Sequence, residues 1–301
     1  MKYSILSVMV LLLLAGCGKK ITPEYQKEIT DWQQNRIKNV PSENGWLTLC
    51  GLFWLKEGEN KFGTDSSNAI VLPKGKALPA AGSIWLEHDS LRLVALPGSN
   101  VKIKDSLVTS YAPLVNDADT AGPTIINIGT VNFFVIKRAD KLGIRVKDKE
   151  NPNRLNFAGL DFFPIEPKWR IEAKFDKYFL PKVVPIATVI NTVEQDTALG
   201  SIIFNFEGAT YHLEALHESG TDDKLYIMFS DETSGKETYG AGRQLYTDLP
   251  DANNSVVIDF NEAYNWPCDY TEFATCPIPP PQNHLGVRVE AGEKKYPGSK
   301  H

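Results

Sequence analysis

Thr124-Ile125-Ile126-Asn127-Ile128-Gly129-Thr130-Val131-Asn132-Phe133-Phe134-Val135-Ile136-Lys137 is followed, after a break at Ala139-Asp140-Lys141, by Leu142-Gly143-Ile144-Arg145-Val146. These runs are short, rich in β-branched and aromatic residues, and separated by turn residues, which predicts strands at 124–128, 131–137 and 142–146 joined as hairpins. The pattern repeats in both directions. Upstream, 84–87 faces 91–96 across His88-Asp89-Ser90, and 101–103 faces 107–111 across Lys104-Asp105-Ser106. Downstream of a proline-rich aromatic stretch at 157–169, further runs stand at 171–175, 183–193, 199–206, 211–216 and 225–229. No helical period alternates with them, so the expected fold class is mainly β, an antiparallel barrel or sandwich rather than α/β.

The chain before these strands reads differently. Thr22 can cap a helix over 23–39, Pro23 and Glu24 suit its first turn, and Tyr25, Ile29, Trp32 and Ile37 recur at roughly helical spacing until Pro41 stops it. Trp32 argues that this helix packs on the body. The dense apolar segment at 45–55 reads as a buried strand or tight strand pair. The expected organisation is a single β-rich domain over 45–293 and a tail at 294–301. From Ser230 onward, polar residues, glycine and proline replace strand patterning, which predicts an irregular C-terminal third of the kind that carries sites.

Lys2, an apolar run over 5–14 and Leu14-Ala15-Gly16-Cys17 open the sequence. The run is too short to span a bilayer permanently, and the last four residues resemble the bacterial lipobox. The resemblance implies a signal peptide at 1–16, acylation of Cys17 with palmitate-type chains and a tether plus helix at 17–44. The lipid bilayer is then a partner through Cys17. By similarity to Gram-negative lipoproteins, Gly18 after the cysteine favours the outer membrane, with the remainder of the chain in the periplasm or at the surface. With 32 basic and 37 acidic residues the net charge is −5, which argues against a nucleic-acid partner.

Setting Cys17 aside leaves Cys50, Cys268 and Cys276. Cys268 and Cys276 flank a short loop whose closure is worth roughly 2.5 kcal/mol, and their disulfide is the favoured reading; buried reduced thiols and a metal or nucleophilic role are the alternatives. Cys50 suits a small buried apolar position.

The densest chemistry lies in Phe229 through Tyr246, in Val257-Ile258-Asp259-Phe260-Asn261-Glu262-Ala263-Tyr264-Asn265-Trp266-Pro267-Cys268, in Cys276-Pro277-Ile278-Pro279-Pro280-Pro281 and in Ala291-Gly292-Glu293. These segments resemble a bacterial family of unknown function, domain of unknown function 1684, with its Phe-Asn-x-Ala-Tyr-Asn-x-Pro-Cys, Cys-Pro-x-Pro-Pro and Ala-Gly-Glu runs. Gly45-Trp46-Leu47 through Asn60, Gly143 through Val146 and Phe157 through Leu160 extend the similarity over most of 24–293. Trp266 departs from it, standing where a proline is more frequent. The family implies a β-rich domain and no established activity.

As a site, Asp231, Glu237, Asp259 and Glu262 offer carboxylates, the first three as acid and base of a hydrolase acting on a sugar or acyl substrate. Arg243 offers a bidentate anion clamp, Tyr239 and Tyr264 phenolic donors, Asn261 and Asn265 neutral polar groups, and Trp266 an exposed ring for stacking. The competing reading is structural: Arg243 pairs with Asp259, and the Asn and Tyr side chains tie irregular backbone. Ser234 reads as a hairpin tip without a GxSxG elbow, and His284 as base for Cys268 competes with the disulfide. His212 and His217, five apart on a strand, face opposite ways, so no metal and no cofactor is expected. The functional expectation is binding of a polar small molecule or carbohydrate in a cleft of the C-terminal third. A carboxylate-dependent hydrolase is the alternative. The second alternative is an envelope assembly protein without small ligand, contacting partners through Pro277, Pro279, Pro280 and Pro281.

Overall fold

Thr22 caps α1 (Pro23–Asn39): its hydroxyl accepts from the Tyr25 amide at 3.2 Å, Pro23 occupies the first turn and Glu24 faces the positive end of the helix dipole. The computed structural model describes residues 21–218, 220 and 223–299, so the predicted signal peptide, Cys17 and Gly18 lie outside the described residues. Only Ile29 of α1 is buried, and the helix is fastened by its polar and aromatic side chains. Trp32 meets Phe162 and Tyr264 with ring centroids 6.1 Å apart in each case, and the Tyr25 hydroxyl donates to Asp259 at 2.7 Å. Among the described residues, no helix is long and apolar enough to cross a membrane.

Eleven strands follow: β1 (Leu49–Trp54), β2 (Gly58–Gly63), β3 (Ile70–Val71), β4 (Gly82–Glu87), β5 (Ser90–Ala95), β6 (Lys102–Ile103), β7 (Ser106–Leu107), β8 (Tyr111–Leu114), β9 (Ile126–Ile128), β10 (Val131–Arg138) and β11 (Lys141–Asp148). They build two sheets, ordered β3-β2-β4-β5-β8 and β1-β11-β10-β9-β6-β7. The alternation of apolar residues sends Phe62, Ile84 and Leu93 from one sheet and Phe133, Val135, Ile144 and Val146 from the other into one core, with Phe62 and Phe133 rings 5.2 Å apart. The predicted strand at 107–111 is divided: Leu107 closes β7 against β6, whereas Tyr111 opens β8 on β5.

The second half holds β12 (Arg170–Ala187), β13 (Val193–Phe206), β14 (Ala209–Leu216), β15 (Lys224–Asp231), β16 (Arg243–Asp248), β17 (Ser255–Asp259), β18 (Tyr264–Asn265) and β19 (His284–Leu285). The order is β17-β12-β13-β14-β15-β16-β18, with β19 parallel on β15. The runs predicted at 171–175 and 183–193 are one strand to Ala187, then a turn. A register shift between Lys177 and Lys182 bulges β12 and leaves Phe179 99% exposed. The sheet curls until the Thr247 hydroxyl of β16 donates to the Val257 carbonyl of β17, yet no ladder joins these strands, so the barrel stays open. The protein is thus mainly β, with antiparallel sandwich-like sheets, one long N-terminal helix and no closed barrel.

The curled sheet wraps Trp169, Phe204, Phe229, Leu245, Ile258 and Phe260. Beyond β17 the chain is mostly irregular and packs back into this core, so buried side chains must satisfy backbone that no ladder serves. Asn283, 0% exposed, accepts from the Glu214 amide at 2.7 Å and donates to the carbonyls of Glu214 and Met228. Asn261 serves both backbone groups of Glu166 in the same way. Gly292, at φ 71°, passes where a Cβ would lie 2.4 Å from the Ala263 carbonyl oxygen, which accounts for glycine in Ala291-Gly292-Glu293.

Candidate functional site

Arg243 is 0% exposed on β16, and of its three guanidinium nitrogens only Nε has no partner. Its Nη2 donates to Asp231 Oδ2 and to the Val289 carbonyl, both at 2.8 Å, and its Nη1 to the Ala291 carbonyl. Asp231 Oδ1 in turn accepts from the Thr233 amide at 2.6 Å. Neither side chain lines the cavity between the β10–β11 face and the C-terminal sheet. The residue read as an anion clamp is therefore a buried brace between β15, β16 and the final segment, and its carboxylate is Asp231 rather than Asp259.

The other members of the predicted cluster disperse. Asp259 accepts from Tyr25 and from the Asn261 amide at 3.0 Å, joining α1 to the turn at 260–262, and burial raises its pKa. Glu237 is at the surface, 2.6 Å from Arg288, and that hydrogen bond holds its pKa low. Tyr239 is buried, and Asn265 donates to Asp269 and to the Lys294 carbonyl, both at 2.8 Å. Trp266, expected to be exposed, is 3% exposed: it packs among Tyr226, Met228, Cys268 and Cys276, and its Nε1 donates to the Tyr226 hydroxyl at 3.2 Å. Cys268 and Cys276 are joined as a disulfide with Cα atoms 6.1 Å apart. His284 lies against Ser230 instead of Cys268, and Ser234 sits in a turn, its Oγ accepting from the Asp231 amide. Among the described residues, no group of three His, Cys, Asp or Glu side chains is placed to hold a metal ion.

Tyr264 and Trp266 alone of the predicted ligand-binding set reach the cavity of about 710 Å³ that opens between the β10–β11 face and the C-terminal sheet. Tyr226 and Tyr246, ring centroids 5.2 Å apart, extend this aromatic wall, and Arg36 of α1 lies over the Tyr264 ring at 4.3 Å. Glu194, Asp196 and Glu218 line it as well. Burial, then the charge of Glu218, pushes the Asp196 carboxyl up.

The cationic wall was missed by the sequence reading. Ile144 and Val146 of β11 point into the sandwich core, so the period of two sends Arg145 to the opposite face, into the cavity. Arg145 Nη2 donates to Thr275 Oγ1 at 3.2 Å, its Nε has no partner, and its Cζ lies 5.8 Å from the Trp46 ring. Arg138 Nε donates to the same Thr275 oxygen at 3.0 Å, while its Nη1 pairs with Asp117 at 2.8 Å. Burial and the neighbouring Arg138 push the Arg145 pKa down to about 10. One signal was available: an arginine inside an otherwise apolar strand, Leu142-Gly143-Ile144-Arg145-Val146.

A smaller cleft of about 530 Å³ gathers Glu28, Asp259 and Glu262 beside Arg170. Burial, then the charges of Asp259 and Glu28, pushes the Glu262 carboxyl up to about 7. A carboxyl with a raised folded-state pKa holds a proton that the unfolded chain has already released, so stability falls as pH rises from the unfolded value toward 7. Glu262→Gln is expected to match the wild type near pH 4 and to melt higher at pH 8, by ~2–4 °C for each ~1 kcal/mol relieved. Parallel melting curves across that range check it; identical curves would show that Glu262 titrates normally.

No curated protein matches the chain. An uncharacterised protein of Haloarcula marismortui is 29% identical at a TM-score of 0.39, over 47% of this chain and 78% of that one. An FHA domain studied for phosphothreonine-dependent interactions is 16% identical at a TM-score of 0.23, over 32% of this chain and 92% of its own. Gly45 through Asn60 and Gly143 through Val146, part of the resemblance drawn from the sequence, lie outside the residues that match a family. Residues 155–294, which contain β12 to β19, the disulfide and the Arg243 brace, match the family described as protein of unknown function, DUF1684.

Proposed function

We propose that this is a lipid-anchored envelope protein that binds a polar small molecule, such as a carbohydrate, in the cavity between the β10–β11 face and the C-terminal sheet. The observation that carries the reading is the cavity itself. Its volume of about 710 Å³ falls within the range of small-molecule sites, and aromatic faces at Trp46, Tyr246 and Tyr264 alternate with charged groups, which suits a ring that stacks and hydrogen-bonds at its edges. Asp231, Glu237 and Asp259 do not line this cavity, which favours binding over a hydrolase built on them. Pro279 and Pro280 are buried, which weighs against the proline cluster as a docking surface. Anchoring rests on Leu14-Ala15-Gly16-Cys17 and placement at the outer membrane on Gly18.

The test is a melting-temperature screen of the chain begun at Gly18 against neutral sugars, anionic sugars, nucleotides and acyl compounds. One class should stabilise the chain, by ~2.7 kcal/mol at a hundredfold excess over Kd, and Trp46→Ala should remove the shift without lowering the unliganded melting temperature. A cooperatively melting wild type that responds to no class would refute the reading. Labelling by palmitate, lost in Cys17→Ser, checks the anchor.

A further inference from the structure

We infer that the ligand of this cavity is an anionic sugar, its carboxylate or phosphate held by Arg145 and Thr275; the inference rests on the cavity being a ligand site and narrows it. Buried Arg243 and half-buried Arg36 are each neutralised by a carboxylate of the chain. Arg243 has Asp231, and Arg36 has Glu293 at 3.1 Å. Arg145 is 6% exposed, and among the described residues no carboxylate lies within ion-pair distance of it. Holding a guanidinium out of water without an ion pair is costly, and the folded chain supplies only one neutral hydroxyl, the Trp46 ring at 5.8 Å and the more distant charge of Asp117, which is already paired with Arg138.

Thr275 shows what is left for a ligand. Its Oγ1 accepts from both Arg138 Nε and Arg145 Nη2, so its own hydroxyl proton remains a donor. Asp117 already compensates Arg138, so the surplus charge belongs to Arg145. The unpartnered Nε of Arg145 and the Thr275 hydroxyl are both donors, which matches an oxyanion and mismatches a cation or a neutral acceptor-poor group. Trp46 supplies the face for the ring: it lines the cavity, is 39% exposed, and lies 5.8 Å from both Arg145 and Lys147. Lys147 donates to the Asn44 carbonyl at 2.9 Å and adds positive potential at the same wall.

The experiment titrates glucuronate, glucose 6-phosphate, glucose and inorganic phosphate into the chain begun at Gly18 and into Arg145→Met, by calorimetry and melting temperature. Glucuronate or glucose 6-phosphate should bind the wild type, and Arg145→Met should weaken that binding about 100-fold. The unliganded Arg145→Met should melt no lower than the wild type, because a buried charge without an ion pair has been removed. Thr275→Val, which keeps the shape and deletes the hydroxyl, should weaken the same probe about 10-fold and serves if Arg145→Met fails to fold. The stronger of the two anionic sugars tells a carboxylate site from a phosphate site. Glucose bound equally by wild type and Arg145→Met would overturn the anion while leaving the cavity as a sugar site. No binding by any probe, or inorganic phosphate bound as tightly as the anionic sugars, would overturn the inference.

Discussion

Arg243→Met loses about 3–5 kcal/mol of folding stability, because it leaves the Asp231 carboxylate buried without its cation. Both partners have fully buried side chains, and the guanidinium also serves the carbonyls of Val289 and Ala291, so three acceptors are orphaned at once. Arg243→Lys should recover little of the loss, since one ammonium cannot reproduce a planar fork aimed at a carboxylate and two carbonyls. The double change Arg243→Met with Asp231→Leu should be more stable than Arg243→Met alone, since it removes the stranded charge. Urea unfolding followed by near-ultraviolet dichroism decides the matter. A midpoint unmoved in Arg243→Met would mean that the final segment is held by packing alone.

Arg36→Leu should release α1 at a comparable cost, about 3–5 kcal/mol near pH 8. Arg36 Nη2 reaches Glu293 Oε2 at 3.1 Å and the Tyr270 hydroxyl at 3.0 Å, and Glu293 is 0% exposed. Burial raises the Glu293 pKa, and the arginine is the main force opposing that rise. Without it Glu293 takes up a proton on folding, so the variant is damaged least at low pH and loses stability as pH rises through the raised pKa. The measurement is limited proteolysis within 23–39 at pH 5 and pH 8, with the wild type cut slowly at both. Equal resistance of Arg36→Leu at pH 8 would show that Trp32 and Tyr25 suffice to dock the helix.

Both results turn on contacts that a single sequence conceals, and the pattern of what was legible has a physical basis. Local features were readable: the cap at Thr22, helix bounds at 23 and 39, and the hairpins around His88-Asp89 and Gly129-Thr130 depend on neighbours a few residues away. The C-terminal third was less legible, in two ways. Strands β16 and β17 lie where apolar alternation is weak, and they exist because the sheet supplies β15 and β12 as templates. Polar side chains there admit a binding site or ties for irregular backbone, and the buried Asn261 and Asn265 serve the second role, as does Asn283, which the sequence does not single out. Arg145 stayed hidden for the opposite reason. Its significance depends on Thr275, 130 positions away, and on Trp46, which a register of strands brings to its side.

Cys50 gives the disulfide a consequence in time. The thiol lies in β1, its sulfur 3.6 Å from the Val146 carbonyl, and burial pushes its pKa up to about 12, so it stays protonated and unreactive. The pairing of β11 with β1 leaves it half-buried, a step that needs no residue beyond Asp148. β1 and β11 both precede residue 150, so an exported chain that emerges N-terminus first can pair them and half-bury Cys50 before Cys268 and Cys276 arrive. Cys268 and Cys276 then meet while Cys50 is held as a protonated thiol, which disfavours its exchange into their cross-link.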